Sequence, residues 1–471
     1  MVLKDFMHMY IVSQSIISEN KIPWAYSLFE KDAHLSKNLY NAALYRIRQI
    51  FTGYDKTNRT ENEREVFSYV EKLEAVYPSI RVSKVISYGH LEKLMRIEQN
   101  PDFFSGLPMQ TAQHVLKQAT GDFKNWLKAL RDYSKSPSKY LGKPKMPGYR
   151  KSDFSTFTIT NQDAHLYPID GDSDCGVLLK LPGTRNRIRL SHITKDARLK
   201  EVKVKPYYGR FLLSLTLETD NIISQKEMPN LAAVDFGVDN IAAIVSNDGS
   251  SRIYKGGAIL SENQLFAKER AKAVSLLTKG HSSKTVSSRH LDNISYHHSN
   301  FNKDQMHKIS RSIVEYCLSH GVGTLILGEN KLWKQRSSIG CVNNQKFVSV
   351  PIFLLKSLIE YKAAACGITV IRCEESYTSK ADFLSGDYIP TYGIDDETAC
   401  FSGKRVKRGL YLSGTGEVIN ADLNGAGNIL RKAVPSAWEG VTDYAFLKNP
   451  EVLGFHELNP QGIPVKRIEA A

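Results

Sequence analysis

The chain has 471 residues, of which 42% are hydrophobic and 24% charged, a composition typical of a soluble globular protein. Its length exceeds what one hydrophobic core usually organises, so we expect two or three domains. Lys and Arg number 63 against 49 Asp and Glu, which gives a net charge of +14. Because the cations concentrate in segments that also carry Tyr, Gly and Pro, they favour a nucleic-acid partner over an ordinary solvated surface.

The sequence shows no pattern typical of a membrane span, a signal peptide, a disulfide framework or a zinc site. No stretch of eighteen apolar residues is free of charge, and the start, MVLKDFMHMYIV, lacks a signal-peptide pattern, so we expect a cytoplasmic protein with no membrane partner. The cysteines form no CxxC pair and fit neither a disulfide framework nor a zinc site. They are Cys175, Cys317, Cys341, Cys366, Cys373 and Cys400.

The N-terminal third is predicted to be mainly helical. Apolar residues within the first 25 positions suggest one or two strands, and residues 28–134 then carry apolar side chains at helical spacing, as in LSKNLYNAALYRIRQIF. The Gly-Leu-Pro sequence at 106–108 marks a break between helices.

A basic, proline-rich segment follows at 134–153. Its three prolines exclude a helix, so its cations and tyrosines are displayed on an extended loop. Contact with a phosphate backbone combined with stacking on bases is our preferred interpretation, and a flexible linker is the alternative. The residues concerned are Lys135, Lys139, Tyr140, Lys143, Lys145, Tyr149 and Arg150.

The rest of the chain changes from alternating strands to a mixed pattern. Residues 154–222 predict a small β-barrel or sandwich, with a hairpin that turns near Tyr-Tyr-Gly. From residue 231 the predicted order is three strands in a meander, helices, a strand, a helix, a strand and a last helix. That order is the one found in an RNase H-like fold, with a mixed sheet covered on both faces. The residues from about 436 show no strong period.

Three carboxylates lie in or beside apolar elements of this last region. Asp235 is inside LAAVDFG, Glu329 ends LILGEN, and Asp422 opens the helix in NADLNGAGNIL. A carboxylate in such a place needs a partner or a metal ion. Oxygen ligands without a His/Cys cluster suit Mg²⁺ or Mn²⁺, and two such ions held by three or four carboxylates can activate water for phosphodiester hydrolysis.

Other acids are weaker candidates for the same site. Asp239 follows Asp235 by four residues and is more simply interpreted as a turn cap. Glu374 and Glu375 end the strand ITVIRCEE, where Glu375 is either an outer ligand or a solvated charge.

Several motifs together resemble the RuvC nuclease core of the TnpB (OrfB) proteins of insertion sequences, relatives of type V CRISPR effectors. They include VDFGVDN, LILGENKLWKQ, EESYTSKADFLSGD, FSGKRVKRGLY and NADLNGAGNI, and the resemblance runs from about residue 135 to 434. It implies a multidomain α+β protein. The implied domains are a first part of a wedge β domain (1–27), a helical recognition domain (28–134), a basic loop with the second part of the wedge domain (135–226), a RuvC-like nuclease domain (227–434) and a tail (435–471).

The resemblance also implies an activity and a set of partners. The protein would be a monomer in a ribonucleoprotein whose guide RNA derives from the transposon end, and it would cleave double-stranded DNA next to a short target-adjacent motif. Asp235, Glu329 and Asp422 fall on the three catalytic, metal-binding positions, with two Mg²⁺ or Mn²⁺ ions as cofactors.

The chain departs from the family at one point. Many members carry a four-cysteine zinc ribbon between the second and third catalytic motifs, whereas the cysteines here stand singly, so we predict no structural zinc. Basic residues of the segment that replaces the ribbon are candidates for nucleic-acid contact: Lys404, Arg405 and Arg408.

Three other functions compete with this interpretation. The motif VDFGVDNIAAIVSNDG is also similar to the phosphate-binding hairpin of actin-like ATPases, although no adenosine-binding glycine motif accompanies it. A nuclease-silent, RNA-guided repressor would have lost at least one of the three acids. A guide-independent transposition factor would carry no RNA of defined length.

Overall fold

The computed structural model describes residues 9–171, 175–219, 228–280, 286–330, 349–394 and 399–460. The protein is a mixed α+β molecule of two compact units, Met1–Asn221 and Ile222–Ala471. Within the described ranges, no helix is long and apolar enough to cross a membrane.

The first unit contains two antiparallel sheets around one hydrophobic core. Their strands are β1 (Met9–Ile17), β2 (Phe157–Thr160), β3 (His165–Pro168), β4 (Cys175–Lys180), β5 (Arg187–Thr194), β6 (Arg198–Tyr207) and β7 (Arg210–Thr219). One sheet has the order β1-β7-β6-β2 and the other β3-β4-β5. The predicted hairpin joins β6 to β7, with Tyr208 and Gly209 both at positive φ as a two-residue turn requires.

The N-terminal strand belongs to this β region although about 140 residues of chain separate it from β2. β1 pairs with β7 along its whole length, from Met9↔Thr219 to Ile17↔Phe211. Apolar residues of both sheets, together with Phe29 of the first helix, form the shared core.

The helical part of the first unit consists of α1 (Pro23–Gly53), α2 (Glu61–Val76), α3 (Tyr88–Ile97) and α4 (Met109–Lys135). α1 begins five residues before the predicted start at 28, because Pro23 suits the first position of a helix, where its missing N–H costs nothing. α2 begins with a capping box in which Thr60 and Glu63 satisfy each other's backbone N–H groups. The four helices share one hydrophobic core.

The second unit is organised by a mixed six-stranded sheet. Its strands are β8 (Asn230–Asp235), β9 (Asn240–Ser246), β10 (Ser250–Lys255), β11 (Val322–Glu329), β12 (Thr369–Glu374) and β16 (Glu451–Leu453), in the order β12-β11-β8-β9-β10-β16. β8, β9 and β10 form an antiparallel meander, and β11 and β12 add to it in parallel with β8. β8, β11 and β12 therefore all end at the same edge of the sheet.

Helices cover both faces of this sheet. They are α5 (Gly257–Thr278), α6 (Arg289–Ser319), α7 (Ile352–Ala365), α8 (Ala421–Ala433) and the short α9 (Phe455–Leu458). α6 and α7 share one core with Val234 and Leu327, whereas α8 shares a separate core with Ala233 and Ile326. Between β12 and α8, a small sheet is formed by β13 (Lys404–Lys407), β14 (Leu410–Leu412) and β15 (Val418–Asn420).

The region from residue 436, which shows no strong period in the sequence, contains ordered elements. β16 joins the main sheet in parallel with β10, and Trp438, Phe446 and Leu447 are buried. A three-residue strand and isolated turns are too short to produce a period that can be recognised in sequence. Residues 461–471 of the predicted tail lie outside the described residues.

Candidate functional site

The pleat of the main sheet decides which carboxylates can meet. Side chains alternate between the two faces of a strand. Asp235 follows Ala233 by two residues and continues the face covered by α8, whereas Glu329 follows Leu327 by two and continues the opposite face, covered by α7. The two acids predicted at neighbouring strand ends therefore point to opposite sides of the sheet.

Glu375 lies on the same side as Asp235. It stands two residues after Cys373, which packs against the α8 core, and its N–H extends the ladder by donating to the carbonyl of Glu329. A Cβ built on Gly328 would lie 2.7 Å from Glu375 Oε2, so this carboxylate occupies the space directly above the glycine. A side chain at Gly328 would exclude it.

Asp422 reaches the same place from the first turn of α8. Asn420 caps the helix by accepting from the N–H groups of Asp422 and Leu423. A Cβ built on Gly425 would lie 2.6 Å from Asp235 Oδ2, so the glycine allows the helix to approach that carboxylate closely. The third carboxylate is therefore delivered by a helix start and a close contact between helix and strand.

These side chains line a pocket of 740 Å³ at the carboxyl edge of the strands. Asp235, Glu375 and Asp422 lie in its wall, and Asp239 and Asn330 lie there too. Glu329 does not line this pocket. Its Oε1 instead accepts from Arg372 at 3.0 Å, and the same guanidinium bonds Glu360 of α7 at 2.6 Å.

The electrostatics of the pocket show that its carboxylates interact. Burial, then the charges of Glu375 and Asp422, raises the pKa of Asp235 well above its ordinary value. Burial also raises the pKa of Glu375, while the nearby Lys356 ammonium opposes that shift. Without a cation between them, carboxylates in such a group disfavour one another's ionisation.

Cationic and amide groups share the pocket with the acids. Arg405 Nη2 lies 3.3 Å from Asp422 Oδ1, and Asn240 Nδ2 donates to Asp422 Oδ2 at 2.6 Å. Arg408 forms an ion pair with Asp239, and Lys255 also lines the wall. The site therefore combines acids able to hold a hard cation with guanidinium groups able to bind phosphate.

The donor set fits Mg²⁺ or Mn²⁺ in its chemistry. Within the described part of the chain, Glu375 Oε2 is buried and has no hydrogen-bond partner, so a hard cation would satisfy this oxygen. Among the described residues, however, no three His, Cys, Asp or Glu side chains stand as a preformed ligand set. Arg405 and Asn240 each contact one oxygen of Asp422. The Asn240 hydrogen bond leaves a lone pair of its oxygen for a metal ion, whereas the Arg405 guanidinium competes with a metal ion for the other oxygen.

The two asparagines of α8 anchor the chain that follows β12. Asn424 Oδ1 accepts from the N–H of Phe383, and its amide donates to the carbonyl of Ala381. Asn428 donates to the carbonyls of Thr378 and Ala381. Both asparagines are fully buried. They hold the segment that begins at Glu375 against the helix that carries Asp422.

Part of the basic loop is occupied by contacts within the first unit. Tyr140 donates to Asp132 at 2.9 Å, and Lys139 Nζ lies 3.5 Å from the same carboxylate. The Arg150 guanidinium lies 3.5 Å from the centroid of the Tyr40 ring. These three predicted nucleic-acid contacts therefore have structural partners in the protein.

The other predicted cations are exposed. Lys135, Lys143 and Lys145 of the loop, and Lys404 of β13, have exposed side chains. Tyr149 is 43% exposed, with the Arg48 guanidinium 5.1 Å from its ring centroid. Whether any of these residues touches nucleic acid stays a prediction, and so does the expected lack of structural zinc.

Glu375 lines the pocket, although the sequence analysis ranked it below Glu329 as a candidate ligand. A usable signal was present, because Cys373 and Glu375 share one face of ITVIRCEE, and Leu327 and Glu329 share one face of LILGEN. What the sequence did not show was which of those faces the last helix covers.

Comparison with known proteins agrees with the resemblance drawn from the motifs. Residues 214–334 match the OrfB_IS605 family model, described as a probable transposase, and residues 354–429 match the TNB domain of Cas12f1-like proteins. The first match contains Asp235 and Glu329, and the second contains Glu375 and Asp422. The resemblance to TnpB (OrfB) proteins and to relatives of type V effectors is thereby confirmed over these two stretches of the chain.

Solved structures give weaker matches. A Cas12f1–sgRNA–target DNA complex matches at 13% identity with a TM-score of 0.48, over 86% of this chain and 82% of that one. A CRISPR-Cas12f ternary complex matches at 13% identity with a TM-score of 0.32, over 85% of this chain and 81% of that one. No protein of curated function matches the sequence.

Proposed function

We propose that this protein is an RNA-guided DNA endonuclease of an insertion sequence. It binds a guide RNA derived from the transposon end, recognises a short target-adjacent motif, and hydrolyses guide-complementary double-stranded DNA in the prokaryotic cytoplasm. It acts as a single protein chain in a ribonucleoprotein. The observation that carries the proposal is the pocket that Asp235, Glu375 and Asp422 line together with Arg405 and Arg408.

The architecture of the second unit supports a RuvC-like nuclease. A three-stranded antiparallel meander extended by two parallel strands, with helices on both faces, is the arrangement of an RNase H-like fold. Asp235 ends the first strand of the meander, and Asp422 opens the helix packed against it. The net charge of +14 suits a polyanionic substrate and guide.

The proposed metal ligands differ from the sequence prediction in one residue. Asp235 and Asp422 keep their roles, and Glu375 replaces Glu329, because Glu329 lies on the other face of the sheet and is bound by Arg372. Mg²⁺ or Mn²⁺ held there would supply a Lewis acid and an activated water for phosphodiester hydrolysis. Asn240 orients Asp422 by donating to one of its oxygens.

The arginines have a role of their own in this chemistry. Arg405 binds Asp422 in the absence of substrate, and a phosphate entering the pocket competes for the same guanidinium. Exchange of the carboxylate for a DNA phosphate frees an oxygen of Asp422 and places positive charge beside the scissile group. Arg408 can exchange Asp239 for phosphate in the same way.

The test compares two glutamates that differ in the face they occupy. Purified ribonucleoprotein, with its copurified RNA sequenced, is assayed on guide-complementary DNA in Mg²⁺. Glu375→Gln should slow cleavage by at least about 100-fold, as removal of a metal ligand does, while guided DNA binding persists. Glu329→Gln is the matched control and should stay within a few-fold of the wild type.

Three other outcomes would each support a different assignment of the third ligand or of the function. Loss of cleavage in Glu329→Gln, with normal cleavage in Glu375→Gln, would return the third ligand to Glu329. Guided binding by the wild type without any cutting would indicate a repressor. Cutting without a bound RNA would indicate a guide-independent transposition factor.

A further inference from the structure

A lysine is buried beneath the carboxylate pocket. Lys356 of α7 is only 4% exposed and sits in the hydrophobic core between that helix and the sheet. A lone ammonium in such a place costs several kcal/mol unless hydrogen bonds and opposite charge offset it. Its position therefore requires an explanation beyond packing.

The ammonium is held at the ends of the two central strands. Lys356 Nζ donates to the carbonyl of Gly328 near the end of β11, and it lies 4.8 Å from the centroid of the Phe236 ring, just after β8. Gly328 is also the residue above which Glu375 Oε2 lies. One cation thus contacts the backbone that positions Glu375 and the residue that follows Asp235.

Acids on both faces of the sheet act on Lys356. Burial lowers the pKa of the Lys356 ammonium, and Glu375 and Asp235 of the pocket, together with Glu329 outside it, oppose that shift. Among the described residues Lys356 forms no direct ion pair with any of them, and Glu375 Oε2 keeps no hydrogen-bond partner. From α7, the positive charge of Lys356 therefore offsets the negative charge of the carboxylates, and it does so without occupying the oxygens that a metal ion needs.

We propose that Lys356 is a built-in counter-cation and positioning residue, which holds the ends of β8 and β11 and keeps Asp235 and Glu375 together when no metal ion is bound. This role rests on the proposed function, because it assigns the carboxylates to a metal site. Lys356 does not touch the substrate. Its effect passes through the Gly328 carbonyl and through the field it exerts on Glu375.

A double-mutant cycle in the intact protein tests the proposal without metal. Amide hydrogen exchange of β11 and of residues 374–378 is measured in EDTA for the wild type, Lys356→Met, Glu375→Gln and the double variant. Lys356→Met should speed exchange there by about 10-fold or more. In the Glu375→Gln background the same change should have much less effect, because the repulsion that Lys356 offsets has been removed.

Two further variants separate charge from packing. Lys356→Gln keeps an N–H donor for the Gly328 carbonyl but loses the charge, and it should also speed exchange. Lys362→Met is the matched control on the same helix, since Lys362 donates to the His307 carbonyl at 2.6 Å and to Ser310 Oγ at 2.7 Å. That variant should leave exchange in β11 and residues 374–378 unchanged.

Several outcomes would overturn the proposal. They are equal effects of Lys356→Met with and without Glu375→Gln, wild-type exchange in Lys356→Gln, and an effect of Lys362→Met at the same amides. If Lys356→Met alone does not fold, the double variant decides, because it should fold if Lys356 offsets Glu375 and should stay unfolded if the lysine only packs.

Addition of Mn²⁺ distinguishes this proposal from the proposed function. If the site binds the ion, Mn²⁺ should slow exchange in the wild type and shrink the difference between it and Lys356→Met. If Mn²⁺ changes exchange in no variant, the metal site fails, while the cycle in EDTA still decides the role of Lys356.

Discussion

In the second unit, the pKa values of two aspartates shift in opposite directions, and hydrogen-bond donors explain the difference. Asp235 faces other carboxylates, and its pKa is raised. Asp382 is fully buried, which would raise its pKa, but hydrogen bonds from Ser413, Ser385 and Gly414 outweigh the burial and lower it. The ionised carboxylate of Asp235 therefore needs a cation to stabilise it, whereas hydrogen bonds within the protein already stabilise the carboxylate of Asp382.

Asp382 holds together the segment that, according to the resemblance to TnpB proteins, replaces a zinc ribbon. Asp382 Oδ2 accepts from Ser385 Oγ at 2.7 Å, from Ser413 Oγ at 2.6 Å and from the N–H of Gly414 at 2.6 Å. These donors come from both sides of the segment, 376–402 and 403–420. A carboxylate thus links two stretches of chain, a task that a metal ion performs in a ribbon.

Replacement of Asp382 by Asn should destabilise the second unit. Asp382→Asn replaces one acceptor oxygen by an NH2 donor that faces other donors, and we expect a loss of about 2–4 kcal/mol in the free energy of unfolding at pH 7. Because the folded pKa of Asp382 is lowered, its contribution is present above the unfolded pKa near 3.8 and is lost as the pH falls through the folded value. The difference between variant and wild type in chemical denaturation should shrink below about pH 4. A difference that does not change with pH would contradict this.

At the scale of elements, the packing of α8 on the sheet depends on two glycines at close contacts. Gly425 allows the helix to approach Asp235, and Gly328 leaves room for Glu375. Neither glycine has a positive φ, so the reason for each is space and not backbone conformation. A helix start and two strand ends meet only because both positions lack a side chain.

Gly425→Ala should therefore impair the site even though Ala favours a helix. The gain in helix propensity is at most about 1 kcal/mol, but the new Cβ would lie 2.6 Å from Asp235 Oδ2 and must displace either that carboxylate or α8. We expect at least about a 10-fold loss of cleavage, through displacement of a group that must be held within about 0.5 Å. Gly121→Ala in α4 is the control, since nothing lies within 4 Å of its Cβ, and it should raise the melting temperature without changing cleavage. Normal cleavage by Gly425→Ala would show that this contact does not position Asp235.

At the scale of the whole molecule, the net charge of +14 would attract a nucleic-acid partner electrostatically. The structure divides the loop cations into two kinds. Lys139, Lys143 and Lys145 are all exposed, but Lys139 Nζ also lies 3.5 Å from Asp132 Oδ1. A cation with an internal partner has less to gain from a phosphate, because binding the phosphate breaks an existing contact.

The salt dependence of nucleic-acid binding tests this division. If Lys143 and Lys145 each contact a phosphate, neutralising both to Ala should reduce the slope of log affinity against log salt by about 1.5–2. Lys139→Ala, the matched control, should change the slope by less than about 1. An unchanged slope in the double variant would make this segment a linker, as the alternative interpretation holds.

Much of the organisation follows from local pattern alone. The hairpin at Tyr208 and Gly209, the helical block ending at Lys135 and the strands of the meander are visible because period and turn chemistry are properties of neighbouring residues. The start of α1 and the strand β16 were less predictable. α1 begins at Pro23, before its predicted start, and β16 forms only because it can pair with the edge of β10.

By itself, the sequence determined the motifs, the basic charge and the positions of Asp235 and Asp422, because each depends on residues close together in the chain or on simple counts. Tertiary structure alone decided which glutamate, Glu329 or Glu375, lines the pocket with Asp235 and Asp422. Both end parallel strands beside each other, and their difference is the face that each presents. That face became meaningful only when α8 packed on one side of the sheet and α7 on the other. Alternation along a strand is encoded locally, but the layer that covers each face is settled by long-range packing.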